Sequence, residues 1–166
     1  GLDFEEAEED VRQRMQSLMQ VRGKQSADDI HRRFGHLLWE LVGMSRNREG
    51  LEKAISEFSL LKQEFWSDVR ITGSADEMNP ELEKATKVAD FIELGELMAF
   101  DALLRNESCG GHFREEYQTE DGEALRDDKN FAYVAAWEYT GKPGEAVLHK
   151  EELIFKDIEL KTRSYK

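Results

Sequence analysis

The chain reads as a mainly α protein. A three- to four-helix up-down bundle is expected over residues 1–106, then a long polar loop, a β-hairpin and an extended C-terminal tail over residues 107–166. Three observations predict this. Apolar residues recur every three or four positions through the first hundred residues, the period of a helix buried on one side. Only 2 of the 166 residues are Pro, so few positions forbid helix. After Asn106 the helical period stops, and glycines, acids and an aromatic run replace it.

Each element has its own signal. Phe4, Ala7, Val11, Met15, Leu18 and Met19 form the stripe of a first helix. Six acids (Asp3, Glu5, Glu6, Glu8, Glu9, Asp10) crowd its first turns as a solvated face, where the positive end of the helix dipole favours them. Gly23 is expected to end it. Ser26 with Asp29 resembles a capping box opening a second helix, with Ile30, Phe34, Leu37, Leu38, Leu41 and Val42 on one face. Asn47 is the candidate cap of a third helix carrying Leu51, Ala54, Ile55, Phe58, Leu61, Phe65 and Val69. Asn79-Pro80 starts a fourth, because Asn caps and Pro at the first helical position loses no bond. This helix runs to about Asn106 and is apolar nearly all round, so several neighbours are expected to bury it. Phe131 to Tyr139 is strand-like, Gly141-Lys142-Pro143-Gly144 marks a turn, and Ala146–His149 with Leu153–Phe155 offers a second strand.

Composition bounds the function. Against 23 basic residues stand 36 acidic ones, a formal charge of −13. That excludes sequence-independent nucleic-acid binding and a polybasic membrane anchor. No run approaches the length of a transmembrane helix, so direct membrane insertion is not expected, and no signal peptide opens the chain. The first residue is Gly rather than Met, which reads as a piece cut from something longer. One Cys among 166 residues excludes an internal disulfide or a CxxC site and suits a reducing cytosol.

The usual catalytic motifs are missing, including GxGxxG, GxxxxGK, GxSxG and HExxH. None of the 4 His has a Glu three residues before it, so a di-iron bundle site is not expected. His31 and His36 read as surface residues, and Trp39 and Trp66 as packing partners. Cys109 and His112 sit three apart, which raises a Cys–His nucleophile pair; no orienting third group is identifiable, so no catalytic, cofactor-binding or metal-binding residue is assigned. The loop itself is different. Gly110 and Gly111 permit positive φ or close backbone approach, and Arg105, Arg114 and Arg126 can fork onto carboxylates or carbonyls.

Arg105-Asn106-Glu107-Ser108-Cys109-Gly110-Gly111-His112-Phe113-Arg114, then Arg126-Asp127-Asp128 before an aromatic strand, resembles the C-terminal signature of the fumarate reductase and succinate dehydrogenase flavoprotein family. The helices upstream and the ending Lys161-Thr162-Arg163-Ser164-Tyr165 fit the same family. Two departures are visible: Cys109 stands where the family usually has Arg, and the stretch from Arg114 to Arg126 is longer than in the commonest members. The resemblance implies an isolated C-terminal domain of a subunit that interconverts succinate and fumarate with electron transfer to or from quinone. FAD would belong to the parent and none to this piece. Arg105, Glu107, Ser108, Gly110, His112, Arg114, Arg126, Asp127 and Asp128 would form a loop docking on the parent's FAD-binding domain. An iron–sulfur subunit and a quinone-reactive membrane anchor would be partners through the parent, which would be peripheral at the cytoplasmic face of the inner membrane. Without the resemblance, the chain reads as a stand-alone acidic helical adapter.

Overall fold

The structure is a computed structural model that describes residues 2–140 and 145–161. It is mainly α. Four long helices run in sequence: α1 (Leu2–Val21), α2 (Ala27–Leu41), α3 (Arg48–Asp68) and α4 (Pro80–Leu104). Two-residue strands stand at their ends: β1 (Gln25–Ser26), β2 (Ser45–Arg46), β3 (Val69–Arg70) and β4 (Phe113–Arg114). A single turn α5 (Asp128–Phe131) precedes β5 (Tyr133–Glu138) and β6 (Val147–Glu152).

The helix starts follow from their caps. Ser26 Oγ accepts the Asp29 N–H at 3.1 Å and donates to the Asp29 carboxylate at 2.7 Å. Asn47 Oδ1 accepts the Gly50 N–H at 2.8 Å, and Asn79 Oδ1 accepts the Leu82 N–H at 3.1 Å. Each bond satisfies an otherwise orphaned donor of the first turn. Helix α1 ends at Val21, just before Gly23. Arg22, not Gly23, takes the left-handed conformation, at φ 50°. Gly23 serves a close approach: its N–H donates to Val69 O at 3.0 Å, and a Cβ there would stand 1.9 Å from Asp68 O.

The chain divides into two compact units, Gly1–Leu38 with Ser56–Gly95 and Trp39–Ile55 with Glu96–Lys166. Helices α2, α3 and α4 each contribute residues to both. The first unit has an apolar core. Leu18, Ile30, Phe34, Phe58, Leu61, Phe65, Val88 and Ile92 are buried in it. The rings of Phe34 and Phe58 lie 4.8 Å apart and tilted, a favourable aromatic geometry. Gly95 receives the Phe34 ring: a Cβ there would stand 2.3 Å from the ring tip. β1 and β3 pair in parallel within this unit, Gln25 with Val69 and Ser26 with Arg70. Beyond them, Arg33 forks onto both oxygens of Glu64 at 2.6 Å.

The second unit is built differently. Its buried apolar residues are few and mostly small: Val42, Leu51, Ala54, Ala99 and Ala102. Buried beside them are Glu107, Ser108 and Arg114. β5 and β6 form the expected antiparallel hairpin, in register from Tyr133–Glu152 to Glu138–Val147. The second strand is continuous from Val147 to Glu152, so Leu153–Phe155 lies beyond it rather than in it. The predicted turn 141–144 and the tail residues 162–166 lie outside the described residues. Trp137 anchors the hairpin, donating from Nε1 to Asp101 Oδ1 at 2.8 Å with its ring 5.4 Å from that of Phe100.

Two packing expectations are corrected. Trp39 is 83% exposed, because it stands on the outer side of the last turn of α2; Trp66 is half-buried, edge-on to Phe65 at 5.3 Å. On α4 the apolar ring is only partly covered: Leu82, Ala85, Val88, Ala89, Ile92, Ala99 and Ala102 are buried, while Phe91, Leu94, Met98 and Leu104 stay exposed.

The glycine environments give a paired prediction. Gly95→Ala drives a methyl into the Phe34 ring, and overpacking of about 1–3 kcal/mol outweighs the helix-propensity gain. Gly35→Ala sits on the exposed side of α2 with nothing within 4 Å, and stabilises by about 0.5–1 kcal/mol. Urea unfolding of the two variants measures opposite signs.

Candidate functional site: the loop that caps α4

A helix leaves its last four carbonyls without intrahelical donors. α4 ends inside the second unit, with Ala102 buried and Leu103 half-buried. The loop after it meets that need. Arg114 Nη1 donates to Ala102 O at 2.9 Å and to Leu103 O at 3.1 Å. His112 Nε2 lies 2.9 Å from Arg105 O. A carbonyl only accepts, so Nε2 carries the proton. Two side chains thus supply donors to three carbonyls at the helix end, and the cationic one also meets the negative end of the helix dipole.

Backbone geometry aims them. Cys109 and His112 exchange hydrogen bonds of 2.8 and 3.1 Å across a two-residue turn. Gly110 takes φ 59°, which a side chain disfavours. Gly111 has neither a positive φ nor a neighbour within 4 Å of a Cβ, so only Gly110 has a conformational role here. Ser108 is fully buried and grips Arg114 twice: its Oγ accepts the Arg114 N–H at 2.8 Å and donates to Arg114 O at 3.1 Å. Its own N–H donates to Leu125 O at 2.9 Å, which draws in the far end of the loop. β4 then pairs in parallel with β2, Ser45 with Phe113 and Arg46 with Arg114.

The charges pair locally. Arg114 is completely buried, and its Nε donates to Glu116 Oε2 at 3.0 Å. Its Nη2 finds no hydrogen-bond partner among the described residues, but the guanidinium lies 5.5 Å from the Tyr117 ring centre, within cation–π range. Arg105 donates to the buried Glu107 from Nε at 2.8 Å and to Phe131 O at 3.2 Å. The other Glu107 oxygen accepts the Asp127 N–H at 2.8 Å. Asp127 caps α5, accepting the Asn130 N–H at 3.2 Å. Arg126 forks onto Asp128 Oδ1 at 2.5 and 3.0 Å and donates to Lys161 O at 3.3 Å. The structure therefore brings Arg105, Glu107, Ser108, Gly110, His112 and Arg114 into one network, ties in Asp127, and sets Arg126 and Asp128 as a separate pair holding the tail. The polar atoms of these nine residues bond mainly within the unit.

Sequence reading missed several members. Arg46 reaches Gly43 O at 2.8 Å, and burial followed by the nearby Arg114 charge pushes its pKa down. Glu116 also binds the Arg48 N–H at 2.5 Å. Burial opposes its ionisation, yet the Arg48 and Glu116 backbone N–H groups and Arg114 hold its carboxyl below the usual range. A signal for Glu116 did exist. Arg105-x-Glu107, Arg114-x-Glu116 and Arg126-x-Asp128 repeat one spacing, and all three form ion pairs. Arg46 carried no comparable signal.

The Cys–His pair meets through its backbone, and the His112 Nε2 proton is committed to Arg105 O. No three His, Cys, Asp or Glu side chains converge as metal ligands among the described residues.

The family described as the fumarate reductase flavoprotein C-terminus matches residues 31–165. The chain belongs to that family. The fumarate reductase flavoprotein subunits of Serratia and Escherichia coli are each 31% identical to it, over 74% and 73% of this chain. The match takes up only 20% and 19% of those proteins, so the chain spans about a fifth of their length. Among solved structures, a quinol–fumarate reductase with menaquinol molecules superposes with TM-score 0.75 at 26% identity, covering 90% of this chain and 25% of that one. A variant of Escherichia coli quinol fumarate reductase gives TM-score 0.79 at 24% identity over 95% of this chain and 26% of that one, a likeness of fold. The signature of this flavoprotein C-terminal domain is, in this chain, a capping device for α4.

Two outcomes test that reading. Arg114→Met leaves the Ala102 and Leu103 carbonyls without their side-chain donor and removes the partner of the solvent-exposed Glu116, and costs about 1–3 kcal/mol in urea unfolding. His112 supplies a pH test. Burial first, and then the charges of Arg46, Arg105 and Arg114, depress its pKa from 6.5, against the Arg105 carbonyl bond that raises it. The unfolded chain therefore takes up the proton first. Stability is full above about pH 6.5 and falls with acid from there down to the depressed native pKa. His112→Gln, whose amide N–H can reach the same carbonyl, lacks that share of the acid sensitivity when unfolding free energy is followed against pH.

Proposed function

We propose that the chain is the C-terminal helical domain of a larger FAD-dependent subunit that interconverts succinate and fumarate and exchanges electrons with quinone. The observation that carries this is the family match over 31–165, with the matched stretch taking up only about one fifth of the relatives. Its role is structural: it packs against the parent's FAD-binding domain and is not a catalyst by itself. The division at 106 is functional in this reading, with residues 107–166 facing the bundle and the parent.

FAD does not suit the residues present. A dinucleotide pyrophosphate wants a glycine turn opening onto a helix N-terminus. Here Gly110-Gly111 closes a turn that leads into β4, and Arg105, Arg114 and Arg126 are occupied by carboxylates and carbonyls. In this reading FAD and the dicarboxylate belong to the remainder of the parent, and no chemical step is assigned to this chain.

The docking role rests on the second unit's surface. The signature residues keep the loop in shape, and the exposed apolar Leu153, Ile154, Phe155, Ile158 and Leu160 of the tail supply area to cover. Among the described residues no helix is long and apolar enough to cross a membrane. Contact with an iron–sulfur subunit and a quinone-reactive anchor, at the cytoplasmic face of the inner membrane, runs through the parent.

The expected outcome for the purified 166-residue chain with added FAD is no succinate-dependent dye reduction above the buffer control. In source-cell lysate, an antibody to it detects a membrane-fraction band several-fold heavier than 19.2 kDa that carries flavin. A soluble band near 19.2 kDa overturns the assignment.

A further inference from the structure

The stripe of α1 does not end where its cover ends. Leu18 is fully buried and Met15 half-buried, but Val11 and Phe4, on the same helical face, are 59% and 81% exposed. Where the stripe leaves the core, a groove of about 400 Å³ opens within the first unit. Val11, Met15 and Leu82 give it apolar walls, and Glu77, Glu83 and Asp90 line it with acid. Met78, between two of the lining residues, is 95% exposed. Neither the flavoprotein assignment nor the α4 cap uses any of these side chains.

Charge decides what fits. Residues 3–10 hold six acids and no base. The nearest cations are already engaged: Arg12 with Glu8 at 2.7 Å, Arg14 with Asp90 at 2.7 Å, and Lys87 with Glu83 at 2.6 Å. An apolar strip flanked by surplus negative charge complements one chemistry, an apolar strip flanked by Lys and Arg. A second copy of this chain brings the same acids and a net −13, so like charges would meet. An anionic bilayer or a nucleic acid is repelled for the same reason.

We propose that the outer half of α1, with the groove below it, is a docking site for a basic amphipathic helical segment of a partner protein. Phe4 and Val11 are its apolar anchors, and the acids of residues 3–10 with Glu77 flank the partner's cations. The apolar contact holds the partner in place, and the charges select it and speed its arrival. The inference stands on α1 and its groove alone, independent of the parent's activity.

The test titrates the 166-residue chain into a fluorescent Leu/Lys helical peptide of about 18 residues and into its scrambled-order counterpart. The striped peptide is expected to bind saturably and about tenfold tighter than the scrambled one, and more weakly as salt rises. Phe4→Ser with Val11→Ser is expected to weaken binding about tenfold while the circular dichroism stays that of a folded chain. Trp39→Ser, at an exposed aromatic residue of the other unit, leaves binding unchanged. Equal binding of the two peptides, wild-type affinity in the double variant, or a loss of affinity in Trp39→Ser as large as that in the double variant overturns the proposal. Sedimentation showing a dimer that the double variant abolishes overturns it in favour of a second copy.

Discussion

The end of α4 is the constraint on which the second unit depends. A 25-residue helix stops at Leu104 with carbonyls that need donors. The chain answers with a buried arginine and a half-buried histidine rather than with a glycine cap. That choice propagates. Arg114 needs an acid, which Glu116 supplies, and a fixed backbone, which Ser108 supplies. Ser108 needs the turn at Gly110 so that the strand returns in reach. Arg105, emerging from the helix end, needs Glu107, and Glu107 uses its second oxygen to draw in Asp127. A buried polar network of this kind is rigid when every member is satisfied and costly when one is removed.

The two units thus rest on different physics. The first is held by aromatic and aliphatic burial, with Phe34, Phe58 and Phe65 at its centre and Gly95 hollowed to admit a ring. Such a core tolerates substitution as long as volume is kept. The second has little apolar bulk, and its uniqueness comes from directional bonds. A family signature of polar residues in a fixed order is what a directional network leaves in a sequence.

Local physics was legible in the residues, and longer-range geometry was not. The caps Ser26, Asn47 and Asn79 act within three residues, and each bonds as its sequence position implies. The hairpin's first strand was readable from its aromatic-rich run. The same reading ended α1 at Gly23, and the helix stops just before it, at Val21; what it did not show is that the glycine is spent on contact with Asp68, 45 positions away. It also placed Trp39 inside, because periodicity says which residues share a face and not whether a neighbour reaches that face. Phe4 and Val11 show the same limit on α1.

The sequence alone determined the helices, their starting points and the contiguous polar motif of the signature loop, because capping, helical period and such a motif are all written over short spans. It also determined the surplus of negative charge, which is a sum and needs no geometry. Only the tertiary structure decided what the signature does. Whether an arginine forks outward onto a partner or inward onto a helix end depends on where β4 lies relative to β2 and to the last turn of α4. That placement comes from pairing between residues 45–46 and 113–114, whose separation in the chain carries no periodic trace.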